Sequence, residues 1–376
     1  MNILHINTNY LSNALHQNMI NTMEKKGVSN TVFVPTYAGS PRGITPANNV
    51  IVSGCFNKWD RVNYYSKQKK IINSVKSSVN VKDFDIVHAY TVFTDGNVAY
   101  RLYKEYGIPY VVAVRNTDIN TFFKYMLHLR KRGIEILKNA SAVFFLSKVY
   151  KERLFENYIK PDDAKLIDAK SYIMPNGIDD FWLENLYDEK DFSNDDGVIK
   201  VACVGSIEQN KNMLSVARAL ELLKQKGKKV SLSIAGKIND QNIFGSLKKY
   251  DFVEYKGVLP KEKLIDVYSA SDVFILVSFK ESFGMVYIEA LSQGLPLVYT
   301  EGEGFDGQFE DGKAGYSTNP SDIEEIADKI MKAYNSRQEI YKNSADLVQG
   351  FSWDSITKRY IDIYNNISDK WGSICE

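Results

Sequence analysis

Short apolar runs rich in β-branched residues alternate with longer segments of helical period along this chain of 376 residues. This alternation is typical of βαβ units, in which crossover helices join parallel strands. It occurs twice, so the pattern predicts two doubly wound α/β domains. The predicted strands are 2–7, 31–35, 85–90, 110–115, 142–147 and 171–175 in the first series, and 199–205, 230–236, 252–255, 273–278 and 296–300 in the second.

The polar stretch 187–197 lies between the two series and is the best candidate for a linker. We therefore expect one domain over 1–187 and another over 188–351, which agrees with the two cores that a chain of this length usually forms. The segment 352–367 has an apolar face at helical spacing and must pack on one of the two domains. That face consists of Trp353, Ile356, Tyr360, Ile363 and Tyr364.

Composition excludes several classes of protein. The 47 basic and 46 acidic residues leave no charge excess of the kind that favours nucleic-acid binding. The three cysteines, Cys55, Cys203 and Cys375, lack the spacing of a metal or redox motif, which favours a reducing compartment. No leader and no apolar run of about 20 residues is recognisable, so we expect a cytoplasmic protein that at most touches the inner face of the membrane.

The segment 279–290 carries the clearest candidate chemistry. It follows a predicted strand and opens a helix, which places Glu281 in the connecting loop and Glu289 on the helix. The first backbone N–H groups of that helix lack intrahelical partners and suit a phosphate. Taken alone, the two glutamates are better explained as a helix-start acid and a surface acid.

The same segment resembles the Glu-x7-Glu signature of the retaining GT4 glycosyltransferases. Three further segments and the C-terminal tail resemble motifs of that family in the same order. The resemblance implies a GT-B fold: two Rossmann-like domains face each other across a cleft, and a helix over about 352–376 crosses back to the first. The further segments are 175–179, which resembles the interdomain junction, 204–211, which resembles the phosphate loop, and 257–259, which resembles the turn beside the nucleoside base.

The resemblance also implies roles for individual residues. Glu281 would bind hydroxyls of the donor sugar, and Glu289 would bind those of the ribose. Lys211 would balance the charge on the leaving diphosphate, so that neither a metal ion nor another cofactor is needed. The remaining predicted donor contacts are Gly205, Ser206, Val258, Phe283, Gly284, Met285 and Val286.

The chain departs from the family pattern at three places. Ser206 stands where the phosphate loop usually has arginine, and the first loop has Ser12 and Asn13 where glycines are usual. Asn13 is predicted to contact the donor through its side chain; the alternative is that this glycine-free loop stands further from the donor. Arg115 stands where many relatives have histidine, and Asp118 follows it. We hypothesise that Arg115 replaces the charge missing at Ser206 and that Asp118 belongs to the same catalytic group; the alternative is a purely structural pairing of the two.

Charge is unevenly distributed along the chain. The first 190 residues hold 25 basic and 18 acidic residues, and the rest hold 22 and 28. The segment 122–132 combines aromatic residues with cations, and Lys67, Lys69, Lys70 and Lys76 form a second basic cluster. Such surfaces can dock on anionic lipid head groups; the alternative is an ordinary solvated helix face whose apolar side belongs to the core.

These inferences predict a retaining transferase that moves a sugar from a nucleoside diphosphate, with uridine expected from the family's majority, to a glycan or lipid-linked acceptor. Assembly of a bacterial surface polysaccharide is the expected setting. Two other functions stay open. A non-catalytic partner subunit is favoured by Ser206 and the altered first loop, and a nucleotide-sugar epimerase on the same fold would need no acceptor.

Overall fold

A computed structural model describes residues 1–12, 14–39, 49–61, 63–187 and 196–375. The chain forms two compact units. The first comprises Met1–Leu146, Tyr150–Gly177 and Trp353–Glu376, and the second comprises Ser147–Val149 and Ile178–Ser352. Residues 178–187, which the sequence analysis assigned to the first domain, therefore lie in the second unit, where buried Trp182 packs beside the ring of Tyr268. Most of the predicted linker, 188–195, is outside the described residues.

Each unit is built around one parallel sheet. In the first unit the spatial order of the seven strands is β3-β2-β1-β4-β5-β6-β7, and in the second the order of the six is β10-β9-β8-β11-β12-β13. The strands are β1 Asn2–Ile6, β2 Ser29–Tyr37, β3 Val50–Phe56, β4 Ile86–Ala89, β5 Tyr110–Val114, β6 Ala142–Phe145, β7 Ser171–Ile173, β8 Val198–Val204, β9 Lys229–Ala235, β10 Val253–Gly257, β11 Val273–Leu276, β12 Leu297–Thr300 and β13 Gly315–Thr318.

Helices connect the strands and cover the sheets. They are α1 Leu15–Lys25, α2 Tyr64–Ser78, α3 Asn97–Tyr106, α4 Leu127–Asn139, α5 Lys148–Tyr158, α6 Pro161–Asp168, α7 Asp180–Glu184, α8 Met213–Gln225, α9 Gln241–Leu247, α10 Lys261–Ser269, α11 Met285–Ser292, α12 Ile323–Asn335, α13 Arg337–Gln349 and α14 Trp353–Cys375. Among the described residues, none of these helices is long and apolar enough to span a membrane.

The predicted doubly wound sheets are confirmed, with all strand pairs parallel. In each sheet the winding direction reverses between the first and fourth strands of the unit, β1 with β4 and β8 with β11. Ligands of such sheets bind beyond the carboxyl ends of the strands at this switch point. The loops that follow β1, β4, β8 and β11 are therefore where a site is expected.

The edge strands β3 and β13 were missed by the sequence analysis. Only Phe56 is buried in β3, and β13 is the short segment Gly-Tyr-Ser-Thr. An edge strand has one neighbouring strand and little buried surface, so neither carries the apolar run that identifies a central strand.

The last helix, α14, belongs to the first unit. All five residues of its predicted apolar face are buried, and they share a core with residues of β1, β2, β4, β5 and β6. The Tyr364 hydroxyl and His88 Nδ1 on β4 form a hydrogen bond at 2.6 Å. The prediction that this segment packs on a domain is confirmed.

Candidate active site

Two loops meet at the switch point of the second unit. The loop after β8 contains a short 3-10 helix, Gln209–Lys211, and the loop after β11 leads into α11. Asn210 fastens one loop to the other: its Nδ2 donates to Lys280 O at 2.9 Å, and its Oδ1 accepts from Lys280 N at 3.1 Å. The Phe279 N–H donates to Asn210 O at 2.9 Å. These bonds fix the position of the residues on either side.

An ion pair lies between these loops. Lys211 Nζ is 2.7 Å from Glu281 Oε2, and their side chains are only 20% and 12% exposed. The next residue, Asn212, has left-handed backbone with φ of 53°, and its Nδ2 donates to Val277 O and Pro320 O. The structure thus brings together two residues that the sequence placed 70 positions apart.

A third loop, which follows β12, forms hydrogen bonds with the backbone of Glu281. The Glu281 N–H donates to Glu303 Oε2 at 2.8 Å, and Gly304 N–H donates to Glu281 O at 2.9 Å. A Cβ on Gly304 would stand 1.9 Å from Ser282 O, so only glycine permits this approach. Glu303 and Gly304 are not predicted from the sequence, because no local pattern indicates that their loop reaches the loop after β11.

Helix α11 begins directly after Gly284, whose φ of +78° is in the left-handed region. A Cβ there would stand 2.4 Å from the Tyr287 ring. No side chain caps this helix start, and the first N–H groups, from Met285 and Val286, have no acceptor within the helix. Phe283 is buried between Phe305 and Phe351, so only its backbone is available to a ligand.

Glu289 is partly buried on α11, and burial together with the nearby Asp179 carboxylate raises its pKa to about 7. The neighbouring Lys261 opposes this shift and pairs with Asp179 at 3.1 Å. Among the residues that the structure describes, no hydrogen bond reaches the Glu289 carboxylate. The Glu289 carboxylate is therefore a partly buried hydrogen-bond acceptor that a ligand can use.

Glycines line the carboxyl ends of β8, β9 and β10. Gly205 N–H donates to Ala235 O, and Gly236 N–H donates to Gly257 O. A Cβ on Gly236 would stand 1.9 Å from Gly205 O, which keeps the loop after β8 close to its neighbour. Ser206 is half-buried beyond Gly205, and Val258 is 70% exposed beyond Gly257.

Arg115 follows β5 in the first unit. Its guanidinium donates to Tyr90 O at 3.3 Å and lies 3.4 Å from His16 Nε2 and 3.5 Å from Asn176 Oδ1. It forms no ion pair within the described chain. The structural pairing with Asp118 weighed above exists only through the backbone, because it is the Arg115 N–H that donates to Asp118 Oδ2 at 2.9 Å.

Asp118 is buried and holds loops together. Its Oδ1 also accepts from the N–H groups of Val92 and Phe93, which begin the π-helical turn after β4. Burial raises the pKa of Asp118 to about 6, although these hydrogen bonds and Arg115 favour the ionised form. Its geometry suits positioning of the Arg115 loop rather than contact with a substrate.

Asp95 is a second buried carboxylate in this loop cluster, and no pattern in the sequence predicts it as a site residue. Thr8 donates to its Oδ1 through N–H and hydroxyl, while Oδ2 is buried with no partner among the described residues. Burial raises the pKa of Asp95 to about 7. Asn13, predicted in the neighbouring first loop, lies outside the described residues.

Three of the four histidines, His5, His16 and His88, are buried around Tyr90. Burial lowers the pKa of each, to about 4 for His5. Each makes a side-chain hydrogen bond within this buried cluster. Within the described ranges, no group of three or more His, Cys, Asp or Glu residues is arranged to hold a metal ion.

Two parallel sheets of this order, each with polar loops at its switch point, define the GT-B fold of nucleotide-sugar transferases. The family described as Glycosyltransferase Family 4 matches residues 16–180, and Glycosyl transferases group 1 matches residues 187–347. The chain belongs to the GT4-type glycosyltransferases, and the expected family and fold are confirmed.

Individual proteins agree with this assignment. An uncharacterized glycosyltransferase of Methanocaldococcus jannaschii is 23% identical over 315 residues, which are 78% of each chain. The O-antigen chain mannosyltransferase B of Escherichia coli is 28% identical over 171 residues, 43% of this chain and 44% of that protein. HepE of Anabaena in complex with UDP has the same fold, with 16% identity, a TM-score of 0.70 and coverage of 97% of this chain and 100% of that one.

Proposed function

We propose that this glycosyltransferase moves a sugar from a UDP-sugar to a glycan or lipid-linked acceptor with retention of configuration. One observation carries the proposal: the Lys211–Glu281 ion pair and the uncapped start of α11 lie at the switch point of the second unit. A cation and polarised N–H groups suit a diphosphate, and the adjacent carboxylate suits sugar hydroxyls.

Each group has a distinct task in this mechanism. Charge accumulates on the diphosphate as the glycosidic bond breaks, and Lys211 together with the N–H groups of Met285 and Val286 stabilises it. Glu281 accepts hydrogen bonds from the donor sugar, and Glu289 accepts them from the ribose. The acceptor hydroxyl attacks the anomeric carbon from the face that the diphosphate leaves, and the departing phosphate oxygen takes the proton of that hydroxyl. Neither a protein nucleophile nor a protein base is therefore required.

Arg115 supplies a further cation in this proposal, in place of the arginine missing at Ser206. Its guanidinium is oriented by Tyr90, His16 and Asn176, and it makes no ion pair with Asp118, which bonds to the Arg115 backbone N–H instead. Arg115→Ala is expected to weaken binding of the nucleotide sugar sharply. An unchanged affinity would remove Arg115 from the donor site.

The setting proposed for the reaction is assembly of a bacterial surface polysaccharide at the membrane. The O-antigen mannosyltransferase relative supports the setting, and the UDP complex of HepE supports the nucleotide. Tyr125 and Leu127, near Lys124 at the start of α4, are 68% and 64% exposed, which supports contact with lipid. Co-sedimentation with anionic vesicles at low salt tests that contact.

Calorimetric titration with UDP, GDP and ADP tests the donor site. Saturable binding of UDP is expected, and Lys211→Ala should weaken it about tenfold or more through loss of a charge-assisted hydrogen bond. Lys249→Ala, which removes an exposed lysine of the same unit, is the control. If the folded protein binds no nucleotide, the non-catalytic partner becomes the better explanation. Turnover of a UDP-sugar without acceptor would indicate an epimerase.

A further inference from the structure

A cavity of about 680 Å³ lies among three helices of the first unit. Its walls are single faces of α2, α3 and α4, because the lining residues recur at helical spacing: 65, 68, 69, 72, 73 and 76 on α2, 97, 101 and 105 on α3, and 128, 131, 132 and 135 on α4. None of the donor-site residues proposed above lines it. Its volume falls in the range of small-molecule sites.

The lining is strongly basic. Five cations face two carboxylates, and two of the cations are partly neutralised, Lys76 by Glu105 and Arg132 by Glu135. The other three, Lys69, Arg101 and Lys131, form no ion pair within the described residues. Cations that share one cavity repel each other, and an anion between them removes that cost.

Arg132 is fixed by a chain of buried polar side chains. Its Nε donates to Asn97 Oδ1 at 2.7 Å, Asn97 Nδ2 donates to Gln68 Oε1 at 2.8 Å, and Gln68 Nε2 donates to Thr94 O at 3.2 Å. Its guanidinium also lies over the Tyr100 ring, 4.6 Å from the centroid. Asn97 and Gln68 are 4% and 3% exposed, so this network belongs to the folded interior.

A fixed guanidinium loses little entropy when it binds an oxyanion, and its planar fork matches two phosphate oxygens. The mobile ammonium groups of Lys69 and Lys131 at the rim add charge without fixed geometry. We propose that this cavity is a binding site for the phosphate groups of an anionic ligand, with Arg132 as its anchor. The phosphate belongs either to a soluble phosphorylated molecule or to a lipid head group. The site does not depend on the donor chemistry proposed above.

Lysine footprinting of the full chain tests the site locally. The rate of acetylation of each lysine is followed by mass spectrometry with inorganic pyrophosphate, and separately with vesicles of phosphatidylglycerol or phosphatidylcholine. Pyrophosphate should slow modification of Lys69 and Lys131 about fivefold or more, because a paired phosphate holds the proton on the ammonium and only the neutral amine is acetylated. Lys25 and Lys82, exposed and without an ion pair in the described chain, should react at an unchanged rate.

Two variants separate this site from the donor site and from general screening. Arg101→Gln should raise the pyrophosphate concentration for half-protection several-fold, whereas Lys104→Gln, the same charge change on α3 outside the cavity, should not. Lys211→Ala should leave the protection intact, so that failure of the donor proposal is recognised separately.

Each outcome decides the proposal. Protection by pyrophosphate shows that soluble phosphate suffices, and protection by phosphatidylglycerol alone assigns the phosphate to a lipid. Equal protection of Lys82, or no protection of Lys69 and Lys131 by pyrophosphate or by phosphatidylglycerol, overturns the site.

Discussion

The raised pKa of Glu289 makes nucleotide binding depend on pH in a direction that can be stated in advance. A pKa of about 7 leaves much of this carboxyl protonated at neutral pH. If Glu289 accepts hydrogen bonds from ribose hydroxyls, the ionised carboxylate binds UDP better than the protonated form. The affinity for UDP is therefore highest well above pH 7 and decreases as the pH falls below 7. From pH 8 to pH 6 the ionised fraction drops about tenfold, and we expect the Kd for UDP to rise by about that factor.

Glu289→Gln removes the charge and retains the shape. At pH 8 it should weaken UDP binding about tenfold, the difference between a charged and a neutral hydrogen bond. At pH 6 the variant and the wild type should converge, because the wild-type carboxyl is then protonated. Calorimetry across this range measures both, and ionisation of UDP itself cancels because both proteins bind the same ligand.

Two neighbours of Glu289 provide matched tests of the cause. Asp179→Asn removes a repelling carboxylate and should move the transition to lower pH, whereas Lys261→Met removes an attracting cation and should move it to higher pH. Parallel pH profiles of wild type and Glu289→Gln would refute the assignment of the transition to this carboxyl. Shifts of the same sign in the two neighbour variants would refute its electrostatic origin.

Three further predictions concern a buried carboxylate of the first unit, a close backbone contact of the second unit, and the metal requirement of the reaction. The folded-state pKa of Asp95, about 7, exceeds its ordinary value of 3.8, so the free energy of unfolding of the wild type falls as pH rises from about 4 to 7. Over that window the free energy of unfolding of Asp95→Asn should rise by up to about 4 kcal/mol relative to that of the wild type. Urea unfolding of both proteins at pH 4 and pH 8 measures the difference. Gly304→Ala should cost about 1 to 3 kcal/mol and weaken UDP binding because its Cβ meets Ser282 O, while Gly245→Ala, with open space, should not; thermal unfolding compares them. Transfer should continue in EDTA, and loss of activity restored by Mg²⁺ would contradict a metal-independent mechanism.

The sequence predicted most of the fold because central parallel strands are buried on both faces and carry continuous apolar runs. It predicted the residues around Glu281 because a strand, a loop and a helix start follow one another directly in the chain. Whether those residues bind a donor stays a prediction. What the sequence did not predict depends on distant contacts: Glu303 reaches Glu281 from the loop after β12, and Asp95 meets Thr8 across 87 positions.

The relation between Arg115 and Asp118 shows the same limit at short range. Their spacing suggested an ion pair, yet the carboxylate receives the arginine's backbone N–H and those of a neighbouring turn. A spacing of three residues does not distinguish an ion pair between two side chains from a carboxylate that binds the backbone N–H groups of a loop. The distinction depends on Val92 and Phe93, whose loop follows another strand.

The return of α14 to the first unit has a consequence for the order of folding. That unit is discontinuous, since residues 178–352 intervene before its last helix is synthesised. On the ribosome, the sheet face that receives Trp353 and Tyr360 must wait for the whole second unit, and His88 must wait for its Tyr364 partner. The second unit is almost continuous and can fold as it emerges. The nascent first unit therefore exposes apolar surface until α14 has been synthesised, which makes this interval its period of greatest susceptibility to aggregation.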